Sequence, residues 1–160
     1  MAAKTVILAE DAGVQAALAD HARGGGGWIV ATARPAEGAK ALDAAGPLDL
    51  IVADLRDMAL PDALLDRLAA AAAQGCALIA EIDAAQIDCA AARLDGDRVI
   101  LLVDPDPIDR AAAIAVGLAS RGSGNVGEQD ALPGLRQLSE EAGRIARALA
   151  ALAETSPPAP

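Results

Sequence analysis

The sequence predicts an α/β fold built on a five-stranded parallel sheet, and three observations lead to this prediction. Five short apolar segments alternate with five segments in which apolar residues recur at helical spacing. The third apolar segment, residues 50–53, has no polar position, as expected for a strand that helices cover on both faces. Alternation of strands and helices favours right-handed crossovers and therefore a parallel, doubly wound sheet.

The chain supplies these elements in order. The predicted strands are residues 5–9, 28–32, 49–55, 76–82 and 99–103. The predicted helices cover residues 14–21, 35–46, 64–75, 87–94 and 106–118, where apolar residues lie three or four positions apart. Proline suits the first helical turn, so Pro35 and Pro107 mark helix starts, with Asp106 as a capping residue. The four glycines at 24–27 predict a turn before the second strand.

Acidic residues follow two of these strands. Glu10 and Asp11 come directly after the first strand, and Asp54 follows the apolar part of the third. The flavodoxin-like strand order 2-1-3-4-5 makes these two strands neighbours, and ligands of such sheets bind beyond the carboxyl ends of the strands. Three carboxylates repel one another unless a cation joins them, and hard oxygen ligands suit Mg²⁺. We therefore expect Glu10, Asp11 and Asp54 to form a Mg²⁺ site.

The composition excludes several classes of function. The formal net charge of the 160 residues is -10, which argues against direct binding of a nucleic-acid backbone. His21 is the only histidine, so we expect neither a Ser-His-Asp or Cys-His catalytic set nor a multi-histidine metal site. No apolar run reaches membrane length and no signal peptide is recognised, so we expect a cytoplasmic protein without a membrane partner. Cys76 and Cys89 form no CxxC pair and are expected to be buried, reduced thiols.

Two motifs within residues 5–119 resemble the receiver domain of bacterial response regulators. They are Ile7-Leu8-Ala9-Glu10-Asp11 and Asp49-Leu50-Ile51-Val52-Ala53-Asp54-Leu55-Arg56. The resemblance implies that Asp54 accepts phosphate from a histidine kinase and that Glu10 and Asp11 bind Mg²⁺. It also implies that the backbone carbonyl of Arg56 supplies the remaining metal contact.

Three positions depart from the family pattern. The family has a Ser or Thr at the end of strand four, where this chain has Glu81 in the segment 79–82. The family lysine before a proline, after strand five, corresponds to Asp104, and the switch aromatic on strand five corresponds to Leu101. Both side chains that would contact the phosphoryl group are therefore missing.

Charge decides what these departures mean for phosphorylation. We expect Glu10, Asp11, Asp54 and Asp104 to crowd together at one edge of the sheet, with no basic group among them. A phosphoryl group adds roughly -1.5 to -2 charges, which increases repulsion at such an edge. The sequence therefore predicts a degenerate receiver that is phosphorylated poorly or not at all.

The C-terminal quarter of the chain departs from the alternating pattern. Residues 120–134 are predicted to be a flexible linker that contains a G-x-G-x-x-G match at 122–127. A helix rather than a strand precedes this match, so dinucleotide binding is not expected. Residues 155–160 form a proline-rich tail typical of a connection to another domain.

Residues 135–154 are predicted to be a dimerisation helix. Apolar residues recur at alternating spacings of three and four, the seam of a two-stranded coiled coil, at Leu135, Leu138, Ala142, Ile145, Leu149 and Leu152. The narrow seam favours a homodimer, and the alternative is an amphipathic helix that folds back on its own domain.

Together these features favour a receiver-like signalling and dimerisation module rather than an enzyme. Residues 1–119 would form the receiver-like domain in the N-terminal part of a transcriptional regulator, or in a stand-alone relative of one, with a histidine kinase or another regulatory protein as partner. DNA would be bound only by a domain absent from this chain. Two alternatives remain: a working receiver that uses Asp54 and Mg²⁺, and a flavodoxin-like module that binds a small ligand. The scarcity of aromatic residues for ring stacking weighs against flavin.

Overall fold

The computed structural model describes residues 1–120, which form five strands and five α-helices in alternation. The strands are β1 (Ala3–Leu8), β2 (Gly27–Ala33), β3 (Leu50–Asp54), β4 (Ala77–Ile82) and β5 (Val99–Val103). The helices are α1 (Ala12–Gly24), α2 (Pro35–Ala45), α3 (Asp62–Ala73), α4 (Ile87–Arg93) and α5 (Pro107–Ala119), with a 3-10 turn at Ala84–Gln86 before α4.

The strands form one parallel sheet in the order β2-β1-β3-β4-β5, which confirms the predicted topology. In this order β3 lies between β1 and β4, so its carboxyl end is at the centre of the sheet edge. The register places Leu8 beside Ala53 and Asp54 beside Glu81. The chain segments that follow β1, β3 and β4 therefore leave the sheet next to one another.

Two helical layers cover the sheet and explain why β3 has no polar face. Ile51 and Ala53 face the layer of α2, α3 and α4, where α3 contributes Leu64, Leu65 and Leu68. Leu50 and Val52 face the opposite layer, which is built from α1 and α5. Successive strand residues point to opposite faces, so a strand covered on both sides must be apolar throughout.

Small residues let the helices approach the sheet closely. A Cβ atom added at Gly117 of α5 would lie 3.0 Å from Leu50 Cδ1. At Gly38 of α2, it would lie 2.8 Å from Leu64 Cδ1. A core with few aromatic side chains is filled by this close approach.

The glycine-rich turn differs from its prediction. Gly24 is the last residue of α1 and Gly27 is the first residue of β2, so only two glycines lie between the elements. Gly26 has a φ of 91°, a backbone conformation that glycine adopts without steric cost. The reversal is thus tighter than four successive glycines suggest.

Most of the C-terminal predictions lie outside the described residues. These are the linker after Ser120 with its glycine motif at 122–127, the heptad helix at 135–154 and the tail at 155–160. Over residues 1–120, every helix is too short or too polar to cross a lipid bilayer.

The two cysteines differ in environment, so the prediction that both are buried is wrong for Cys89. Cys76 is buried just before β4, whereas Cys89 is exposed on α4. Its neighbour Ala90 is the buried residue of that short helix, and one step along a helix turns a side chain about 100° away from the core. Burial, with a smaller contribution from Asp49, raises the pKa of the Cys76 thiol to about 12.

We predict that a thiol-specific alkylating reagent at pH 8 modifies Cys89 rapidly and leaves Cys76 unmodified in the folded chain. The thiolate is the reactive form, and Cys76 is both buried and protonated at this pH. Mass spectrometry of the alkylated protein measures the outcome. The Cys89→Ser variant serves as control, because it should react only after unfolding in denaturant. Rapid labelling of folded Cys89→Ser would contradict the prediction.

Candidate functional site

Acidic side chains meet at the carboxyl edge of the sheet. A cavity of about 370 Å³ is lined by Glu10, Asp11, Val14, Asp54, Arg56, Asp57 and Met58. The parallel order brings these residues together, because the loops after β1 and β3 leave the sheet side by side. The structure thus gathers all three predicted metal ligands around one cavity.

Arg56 holds both carboxylate oxygens of Asp54. Its Nε donates to Asp54 Oδ1 at 2.9 Å and its Nη2 donates to Oδ2 at 2.9 Å. Its backbone N–H also donates to Oδ1, at 3.2 Å, in the short turn that an Asp side chain makes with the residue two positions later. The expectation that no basic group lies among these acids is therefore wrong, because this turn folds Arg56 back onto Asp54.

Glu81 lies next to Asp54 on the neighbouring strand, and its side chain is fully buried. Arg110, in the first turns of α5, donates from Nε to Glu81 Oε1 and from Nη2 to Oε2, the latter at 2.8 Å. Arg56 Nη2 lies 3.4 Å from the same Oε2. A buried carboxylate needs such partners, since desolvating an unpaired charge is very costly.

These contacts form a network of two carboxylates and two guanidinium groups, which we call the edge network: Asp54, Arg56, Glu81 and Arg110. The hydrogen bond to Asp54 raises the pKa of Arg56 above its ordinary value, and the bond to Glu81 does the same for Arg110. Both guanidinium groups therefore stay charged at any physiological pH. In the folded chain, the formal charges of the two carboxylates and the two guanidinium groups sum to zero.

The three predicted metal ligands are each committed to another contact. Asp11 caps α1, because its Oδ1 accepts a hydrogen bond from the Val14 N–H at 3.0 Å. Glu10 is exposed and lies 3.9 Å from Arg34, and Asp54 is held by Arg56. Across residues 1–120, no group of three or more His, Cys, Asp or Glu side chains is placed to hold a metal ion. For Mg²⁺ to bind all three carboxylates these contacts would have to change, and the Mg²⁺ site stays a prediction.

The other two positions that depart from the family pattern lie on β5 or just after it. Leu101 pairs in register with Ala80 and packs against the core layer of α2, α3 and α4. Asp104 is exposed, has a φ of 44°, and its backbone N–H donates to the Ile82 carbonyl at 3.0 Å. The negative charge of Asp104 contributes to raising the pKa of Arg56. Asp104 therefore interacts electrostatically with the Arg56 guanidinium group.

A side-chain clamp fixes the loop that carries Arg56. The Gln86 amide donates to the carbonyls of Leu55 at 2.6 Å and Met58 at 2.7 Å. The Asp83 carboxylate accepts from the Asp57 N–H at 3.1 Å, and Asp83 also forms a reciprocal cap with Gln86. The loops after β3 and β4 are thereby joined.

Three of these side chains were not predicted from the sequence: those of Arg56, Arg110 and Gln86. The spacing of Asp83 and Gln86 matches a capping box and could have located that turn. An acid within the apolar segment 78–82 signals a buried cation partner. Neither signal identifies which of the arginines supplies the charge.

We predict that Arg110→Met destabilises the protein by about 3–5 kcal/mol, because it leaves the buried Glu81 carboxylate short of its main partner. The free energy of unfolding from urea titration measures the effect. Arg93→Met is the matched control, since Arg93 also donates two hydrogen bonds to carboxylate oxygens, but those belong to the exposed Asp62 and Asp66. Its effect should be much smaller. Equal effects of the two substitutions would show that Glu81 does not depend on Arg110.

Comparison with known proteins shows likeness in structure. No family model matches the chain, and no curated protein matches it. The REC domain of AraT, a response regulator from Geobacillus stearothermophilus, matches with a TM-score of 0.58 and 21% identity, over 77% of this chain and 98% of that domain. A response regulator receiver protein from Sinorhizobium medicae gives a TM-score of 0.60 and 18% identity, over 75% of this chain and 97% of that chain. The REC domain of PhyR from Erythrobacter litoralis gives 0.55 and 19%, over 74% and 91%.

Proposed function

We propose that this chain, whose residues 1–120 have the receiver-domain fold, is a response-regulator receiver module that signals without phosphate transfer to Asp54. One observation carries the proposal: Arg56 donates a hydrogen bond to each carboxylate oxygen of Asp54. The module is a signalling domain rather than a classical enzyme.

The chemistry of phosphate transfer explains why this contact matters. An oxygen of Asp54 would have to attack phosphorus, and both oxygens are engaged by a guanidinium group. Charge-assisted hydrogen bonds of this kind are about twice as strong as neutral ones. The Asp54 side chain is also only 13% exposed. Arg56 would have to leave Asp54 before a phosphate donor could react.

The electrostatics after transfer are also unfavourable. A phosphoryl group would bring roughly -1.5 to -2 charges to a point beside Glu81. Glu81 already engages Arg110 with both of its oxygens. Within the edge network, this leaves only Arg56, released from the Asp54 carboxylate by the transfer, to face a phosphoryl group whose charge exceeds its own.

A working receiver is the alternative, and the cavity beside Asp54 is the observation that favours it. The cavity is bordered by Glu10 and Asp11, the pair that the resemblance assigns to Mg²⁺. For this function Arg56 would have to turn away from Asp54.

We predict that at most a small fraction of the full chain gains a phosphoryl group from acetyl phosphate in the presence of Mg²⁺. Arg56→Ala should increase the modified fraction by about tenfold or more, since it removes charge-assisted bonds worth roughly 1.5–3 kcal/mol. Intact-mass spectrometry measures the modification. Arg93→Ala should leave it unchanged, and Asp54→Asn combined with Arg56→Ala should abolish it. Rapid modification of Asp54 in the unaltered chain, or tight binding of beryllofluoride there, would favour the working receiver instead.

We further propose that residues 135–154 assemble two copies of the chain. The support is the apolar heptad seam in the sequence, with charged residues on other faces. The chain would act in the cytoplasm, with a histidine kinase or another regulatory protein as partner. DNA would be contacted only by another domain, since the net charge of this chain is -10.

We predict that light scattering finds a dimer for the full chain and a monomer for residues 1–120. Replacement of Leu138 and Ile145 by Asp should also give a monomer, because charged residues at two seam positions oppose coiled-coil pairing. Replacement of the glycines at 122 and 124 by Ser is the control and should leave the dimer intact. A dimer of residues 1–120 would move the interface to the receiver fold.

A further inference from the structure

The carboxylate of Glu81 is enclosed by two guanidinium groups. Arg110 donates to each of its oxygens, and Arg56 Nη2 lies 3.4 Å from Oε2. Glu81 has no solvent exposure, whereas the side chains of Arg56 and Arg110 are 25% and 13% exposed. Arginine forks of this kind bind planar carboxylates and tetrahedral oxyanions such as phosphate and sulfate.

The Arg56 guanidinium group is positioned largely by contacts other than Glu81, and the backbone of Arg110 is placed by its helix. Arg56 is fixed by Asp54, and its loop is clamped by Gln86. Arg110 belongs to α5, which begins at the capping residue Asp106 and packs on the sheet through Ala113, Ile114 and Gly117. Arg56 would therefore keep its place if the Glu81 carboxylate were removed, and α5 would keep the backbone of Arg110 beside the same site.

We infer that Arg56 and Arg110 form an oxyanion-binding site and that Glu81 is its built-in ligand. The chain supplies its own anion next to Asp54, and this contact keeps external phosphate or sulfate out. The inference rests on the proposed function, and it supplies a physical reason why this site would not take up phosphate. The edge network already has the charge balance that a bound oxyanion would otherwise create.

A charge count shows how the site behaves without its internal ligand. Within the edge network, neutralising Glu81 leaves Arg56 and Arg110 with the single charge of Asp54, a surplus of one positive charge. Neutralising Asp54 as well leaves a surplus of two. Nearby Glu10 and Asp104 oppose anion binding, so affinity should be modest in the first case and higher in the second.

The test compares thermal unfolding of the full chain in inorganic phosphate and in chloride at equal ionic strength. Glu81→Ala should gain roughly 5 °C in melting temperature from phosphate, the shift expected when a weak ligand saturates the folded state. The unaltered chain should show only the general salting effect of phosphate. Asp54→Asn combined with Glu81→Ala should respond at lower phosphate concentrations than Glu81→Ala alone.

Two controls assign the effect to the site. Arg110→Met combined with Glu81→Ala should lose the phosphate-specific gain, whereas Arg93→Met combined with Glu81→Ala should keep it. Glu81→Thr, which suits a strand, repeats the comparison in case the alanine variant does not fold. The inference is overturned if neither Glu81 variant responds to phosphate more than the unaltered chain, or if the response survives the loss of Arg110.

This outcome is separable from that of the proposed function. Phosphorylation of Asp54 in the unaltered chain would contradict the proposed function, whatever the response of Glu81→Ala to phosphate. An absent phosphate response would refute the inference that Glu81 is a built-in ligand, while the hydrogen bonds from Arg56 to Asp54 would still account for an unreactive Asp54.

Discussion

The pairing of two acids on adjacent strands is the constraint on which the carboxyl edge of this sheet depends. Asp54 and Glu81 lie side by side in the β3–β4 register, and Glu81 has no access to water. Two like charges at this separation are stable only with cations between them. Arg56 and Arg110 meet that need from a loop and from a helix, so the edge holds its shape through charge pairing as well as apolar packing.

The fold could be predicted because its signals are local and repeated. Apolar segments such as residues 50–53 indicate strands buried on both faces, and alternation with helices restricts the topology to very few choices. The positions of Glu10, Asp11 and Asp54 at one edge follow from that topology, since parallel strands bring their carboxyl ends to the same edge of the sheet. Errors occurred where short-range geometry decides, as at Gly24 and at Cys89.

The charge partners could not be predicted, because they depend on three-dimensional distances that spacing does not encode. Arg110 is 29 positions from Glu81, and nothing in its own helix marks it as a partner for a buried acid. The resemblance in sequence points to the backbone carbonyl of Arg56 as a metal contact, whereas in the structure the Arg56 side chain makes the decisive contacts. A sequence count of acids at an edge therefore overstates repulsion when arginines from other elements can reach the same place.

The Gln86 clamp has a consequence for how this edge opens. One amide group bridges two loop carbonyls, while Asp83 binds the backbone of both loops. Neither loop can detach alone without leaving buried polar groups unsatisfied. Opening at the sheet edge should therefore be a cooperative, all-or-none event, and the barrier to exposing Asp54 belongs to both loops together.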